Sequence, residues 1–140
     1  MPRQSSSLLP DAVTASLAVI ALLFAVYFTG AWLDLPLTRW GIVPRTAFGL
    51  RGIVLSPFLH ANRSHLMANA LPLFVLLVLL LSNPHHRPYT TLALIWGISG
   101  LGTWLIGRNH SVHIGASSLV FGMAAFLIVA GFMITKRAIR

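Results

Sequence analysis

The stretch Ala12–Leu33, AVTASLAVIALLFAVYFTGAWL, contains 22 consecutive uncharged residues. At about 1.5 Å per residue, a helix of that length crosses a hydrocarbon core about 30 Å thick. It is longer than a typical signal-peptide core, and no convincing small-x-small cleavage site follows it. The stretch therefore predicts a retained first transmembrane helix. A short leader, residues 1–11, precedes it, with Arg3, three serines and two prolines. Three further apolar runs follow, over 66–83, 89–107 and 114–135, so residues 12–140 read as one membrane domain. Pro72 lies inside the second run, which membrane helices tolerate better than soluble ones. Gly97, Gly100 and Gly102 in the third would let a neighbouring backbone approach closely. No apolar–polar alternation suggests a barrel. The expected fold is all-α: a polytopic bundle with four transmembrane helices.

Composition agrees. The 140 residues are 56% hydrophobic and 9% charged, against about 25% charged in soluble domains. Ten Lys and Arg against two acids give a net charge of +8. Because those cations fall between apolar runs, they fit anionic lipid headgroups better than nucleic acid. The chain has no cysteine, which excludes disulfides, thiol catalysis and Cys-based metal sites. Loop charge is balanced across the two membrane faces, and only the Lys136-Arg137 pair after the last run tips the C-terminus toward the cytoplasm. The expected location is the cell membrane, as a multi-pass protein.

The loops differ in length. Residues 83–88 and 108–113 are short links, whereas about thirty residues, Asp34–His65, separate the first two runs. That long loop carries Trp40, Phe48, Ile53, Val54 and Phe58 among prolines and glycines. A loop so long and apolar is expected to pack on something or to serve function, with its Trp and Arg residues at headgroup level.

Polar groups at membrane depth are costly and tend to mark function. Two groups of them stand out. His60, His65 and Asn69 cluster at the start of the second run, and the four-residue spacing puts His65 and Asn69 on one helix face. That face offers hydrogen-bond donors to a buried oxygen, although such groups also bond neighbouring helices. The second group is Gly115-Ala116-Ser117-Ser118 with Gly122, at the start of the fourth run. Small residues ahead of Ser117 leave room for a substrate backbone at its hydroxyl. Most serines in such helices serve packing, and Ser118 with Gly122 forms a small-xxx-small face.

Taken together, the run Ser56-Pro57-Phe58-Leu59-His60-Ala61-Asn62, then His65-Leu66 and Asn69, followed later by Gly115-Ala116-Ser117, resembles the rhomboid family of intramembrane serine proteases. The resemblance covers about residues 49–135 and three elements in order. It implies that Ser117 is the nucleophile, that Asn69 and His65 line the oxyanion hole, and that His60, Gly115 and Gly122 support the motif. It implies no cofactor and no metal, with transmembrane proteins as substrates. Family members have six membrane helices with the catalytic base histidine on the sixth. This chain supplies four, and its base is expected beyond residue 140. His113 would lie one turn from Ser117 if the last helix extended back that far. Ser118 stands where the family usually has Gly, Phe121 where many members have Tyr, and Arg51-Gly52 where some have Trp-Arg.

Two other functions compete. A catalytically inactive rhomboid-like protein could bind transmembrane helices without cutting them. A haem or metal bundle would draw on His85-His86 or His110 and His113, but all four lie in short loops with no cysteine or intramembrane carboxylate beside them.

Overall fold

A computed structural model describes residues 8–138, with side chains through Met133. Residues 1–7 of the expected leader, and Ile139 and Arg140, lie outside the described residues. The described chain is helical, and its only β feature is one isolated antiparallel bridge between Ile42 and His113.

Helix α1 spans Leu8–Trp32. It begins four residues earlier than the apolar run, so the last residues of the expected leader are helical. Pro10 falls in the first turn, where a missing N–H costs little, and Asp11 complements the positive helix end. Asp34, in the left-handed region at φ 51°, ends it. Helix α2 is one turn, Gly52–Leu55, set among short 3-10 turns at Leu37–Trp40, Phe48–Arg51 and Ser56–Phe58. Helix α3 spans Arg63–Leu81 and runs through Pro72. It starts three residues before the apolar run because Asn62 caps it, its side chain accepting from the His65 backbone N–H at 2.8 Å. Helix α4 spans Pro88–Ile106, entered through Arg87 at φ 44° with Pro at its first position. Helix α5 spans Ser117–Ala138. It starts three residues later than expected because Gly115 sits at φ 103°, which no helix admits.

Three of these helices, α1, α3 and α4, are long and apolar enough to cross a membrane. The stretch Ser117–Met133 of α5 is apolar but shorter. Their surfaces explain why a bilayer suits them. Leu17 and Leu22 on α1, Leu71 and Leu79 on α3, and Leu94, Ile98 and Leu105 on α4 are all exposed. An apolar face on that scale is costly in water and at home in lipid.

The core lies where α3 meets α1 and α5. Leu66, Leu73, Leu77 and Leu80 of α3 pack with Leu23 of α1 and with Leu119 and Met123 of α5. Ala116, just ahead of α5, is fully buried in the same cluster. Helix α4 is peripheral, and Gly100 is its buried residue.

The long first loop does pack, and its partner is α4. Trp96 Nε1 donates to the Ile53 carbonyl at 2.8 Å and Trp104 Nε1 to the Thr46 carbonyl at 2.9 Å. Arg45 donates to the Gly107 carbonyl at 2.8 Å and also to the Asn109 side chain. At Gly100 a β-carbon would lie 2.7 Å from Ile53 Cγ2, so this glycine lets α2 reach α4. Gly122 plays the same part between α5 and Ile95 of α4, at 2.4 Å. Gly97 and Gly102 have nothing within 4 Å, so the expected close approach is realised at only one of the three α4 glycines. Arg51 stacks its guanidinium on Phe48 at 3.2 Å and on Trp40 at 4.2 Å. Replacing Gly100 by Leu should push α2 off α4 and cost about 1–3 kcal/mol, as overpacking does. A lower thermal midpoint in detergent checks this, and an unchanged midpoint would show that the loop is not held there.

Candidate functional site

The site grows from two helix starts. Asn62 caps α3 and so fixes His65 in its first turn. One turn on, Asn69 Nδ2 donates to the His65 carbonyl at 2.9 Å, and the residue is 5% exposed. The i,i+4 geometry of a helix thus brings the imidazole and the amide onto one face, as their spacing predicts.

The second start lies against the first. The chain turns at Gly115 so that its N–H donates to the Ser56 carbonyl at 2.8 Å. A β-carbon at Gly115 would lie 2.6 Å from His65 Nε2 and 3.7 Å from Asn69 Nδ2. Only a residue without a side chain fits there, on grounds of both φ and space. Ser117 follows two residues later as the first residue of α5, half-buried, and its hydroxyl has no hydrogen-bond partner among the described residues. Two motifs about fifty residues apart in sequence are therefore adjacent in the fold.

His60 backs this face. Its ring stands edge-on to that of His65, with centroids 5.1 Å apart. It is 5% exposed, and neither ring nitrogen has a well-formed hydrogen bond. Burial first, and the neighbouring His65 second, push its pKa down from 6.5 to about 4, while the Phe58 backbone pulls weakly the other way. His60 is therefore neutral at pH 7. Because the folded value lies below the unfolded one, the stability tied to neutral His60 is fully present above about pH 6.5. It is lost as the pH falls toward 4, by up to about 3 kcal/mol. The thermal midpoint should drop over that window in the native protein and drop less in His60→Phe. Parallel pH profiles would count against a buried neutral imidazole.

His113 does not stand one helical turn before Ser117. The helix begins at Ser117, and His113 is held instead in the bridge to Ile42, with backbone hydrogen bonds of 2.8 and 2.9 Å. Its Nε2 lies 3.0 Å from Ser111 Oγ. Phe121 is 74% exposed, so its ring lies open on the outer surface of α5. Among the described residues no three His, Asp or Glu side chains come together as a metal site. His86 instead pairs with Asn83 at 3.1 Å and meets Phe126 edge-on.

Three contributors escaped the sequence reading. Asn62 was legible in principle, since Asn just ahead of a helical run is a capping signal. The Ser56 carbonyl and the Ile42–His113 bridge were not, because backbone partners carry no residue signature.

The Rhomboid domain family matches residues 47–139, a span that contains Ser56, His60, Asn62, His65, Asn69, Gly115 and Ser117. The chain belongs to the rhomboid family. Among relatives of this rhomboid, uncharacterized proteins of Mycobacterium tuberculosis and Mycobacterium bovis are 43% identical over 132 residues, covering 88% of this chain and 53% of theirs. An uncharacterized protein of Mycobacterium leprae is 42% identical over 92 residues, 62% of this chain and 37% of its own. The chain thus spans about half the length of the first-named relatives. No solved structure matches it.

Proposed function

We propose that this rhomboid chain carries the nucleophile and the oxyanion side of an intramembrane serine endopeptidase. Ser117 Oγ attacks the carbonyl carbon of a peptide bond in a transmembrane protein. Its proton passes to a histidine base supplied from beyond residue 140. The resulting oxyanion accepts hydrogen bonds from Asn69 Nδ2, from the His65 ring and from the Ser117 backbone N–H. The acyl-enzyme is then hydrolysed by water. In this reading α5 is a fourth span, and the protein is a multi-pass protein of the cell membrane.

The observation that supports this most is the seating of Gly115 against His65 and Asn69. Oxyanion stabilisation requires fixed donors aimed beside the nucleophile. Here the turn that delivers Ser117 is pressed onto the two donors. One Asn69 amide N–H is fixed on the His65 carbonyl, which orients the other.

Asn69→Ala tests the reading. With the complete protein in proteoliposomes and a single-span substrate, turnover should fall by about 10²–10³-fold. An unchanged rate would remove Asn69 from the oxyanion hole. If the wild-type protein cuts nothing while still retaining single-span helices, binding without catalysis becomes the better account. The exposed apolar face of α4 would suit that role.

A further inference from the structure

A cavity of about 140 Å³ lies inside the bundle, lined from α1, α3, α4 and α5 together. Leu73 and Leu77, one turn apart on α3, are buried against it, as is Leu119 of α5. Phe58 and Trp96 line it with rings whose centroids are 5.5 Å apart. On the α1 side Leu22 is 48% exposed, so the mouth opens on the outer face of α1, where lipid lies.

The chemistry of the lining is uniform. Trp96 carries the one polar atom among the lining side chains, and its indole N–H is spent on the Ile53 carbonyl at 2.8 Å. No polar surface faces the cavity. Water needs polar partners to settle in such a space, and here it finds none. Yet protein interiors seldom leave a void larger than a water molecule, and lining atoms that face empty space forgo their dispersion contacts. An apolar occupant restores those contacts. Size narrows the choice further. An apolar cavity of about 150 Å³ stays dry and takes up benzene or xenon. A polar headgroup or a peptide segment would be buried there without hydrogen-bond partners, at a cost nothing offsets.

We infer that this cavity is a binding site for a small apolar molecule of about benzene's size, an aromatic or short-chain hydrocarbon that enters from the bilayer. One occupant braces all four helices at once. It also lies under both halves of the candidate site, since Phe58 stands two residues before His60 and Leu119 two residues after Ser117. Binding stands on the cavity alone and holds whether or not the chain is a protease.

Fluorine-19 NMR of the full chain in phosphatidylcholine vesicles, titrated with fluorobenzene, tests the site. A bound signal, distinct from that of the probe dissolved in lipid, should saturate at one probe per chain. Val19→Trp and Leu92→Trp fill the cavity from α1 and from α4, and each should abolish the bound signal. Leu71→Trp puts the same ring on the exposed face of α3 and should keep it. Both filled variants should hold the native thermal midpoint or exceed it, which separates filling from unfolding. In detergent, added fluorobenzene should raise the native midpoint by several degrees, because the ligand binds only the folded state, and leave that of Val19→Trp flat. A native chain without a saturating signal overturns the site, and so does a signal that survives in both filled variants. Midpoints that fall in both would mean that the rings find no room, and overturn it too. A signal seen in a fluorinated surfactant but absent in phosphatidylcholine vesicles would hand the cavity to a lipid tail and overturn the small-molecule site.

Discussion

Ser117→Ala in the complete protein is expected to lower cleavage of a single-span membrane substrate by about 10⁴-fold or more, with the yield of folded protein unchanged. The oxygen that would form the acyl-enzyme is gone. Structure should survive for reasons visible at the residue. The Ser117 hydroxyl makes no hydrogen bond to another described residue, so its loss leaves no partner unsatisfied. Alanine also suits the first turn of α5 at least as well as serine does. Cleavage assayed in proteoliposomes, alongside the thermal midpoint in detergent, separates the two effects. A variant that keeps cutting would take the nucleophile assignment with it. A variant that loses both activity and its midpoint would mean that Ser117 holds the fold rather than the chemistry.

Gly115→Val should lower activity by about 10²-fold or more, and by the opposite route. At φ 103° a β-branched residue is strained by about 1–3 kcal/mol before it touches anything. Its β-carbon would also stand 2.6 Å from His65 Nε2 and 2.7 Å from His65 Cε1. Either the imidazole is driven off its position or the turn opens and breaks the Gly115–Ser56 hydrogen bond. Both displace Ser117 from His65 and Asn69, and a shift of about 1 Å can cost about 10²-fold. The midpoint should fall together with the rate, unlike that of Ser117→Ala. Gly115→Ala, with a smaller side chain in the same conformation, should fall between the two. Full activity in either variant would mean that the turn is not seated on His65.

The helical membrane architecture was legible in the residues because its physics is local. A run of about 20 apolar residues has few stable places outside a bilayer, wherever the rest of the chain goes. A helix lies over each of the four expected runs, three of them long and apolar enough to cross a membrane, and the shifts at their ends trace to single residues such as the Asn62 cap and the left-handed Gly115. The order and spacing of His60, His65, Asn69 and Ser117 were equally readable, and so was the shared face of His65 and Asn69, since four residues make about one turn. The meeting of the two motifs needed the tertiary structure. It depends on α5 packing against α3 through Leu66, Ala116 and Leu119, and such contacts are non-local and apolar, without a motif to announce them. The long first loop shows the same division. Its composition said that it must pack. That it packs on α4, through two indole N–H groups and Arg45 reaching backbone carbonyls, was decided by which carbonyls the fold left unpaired.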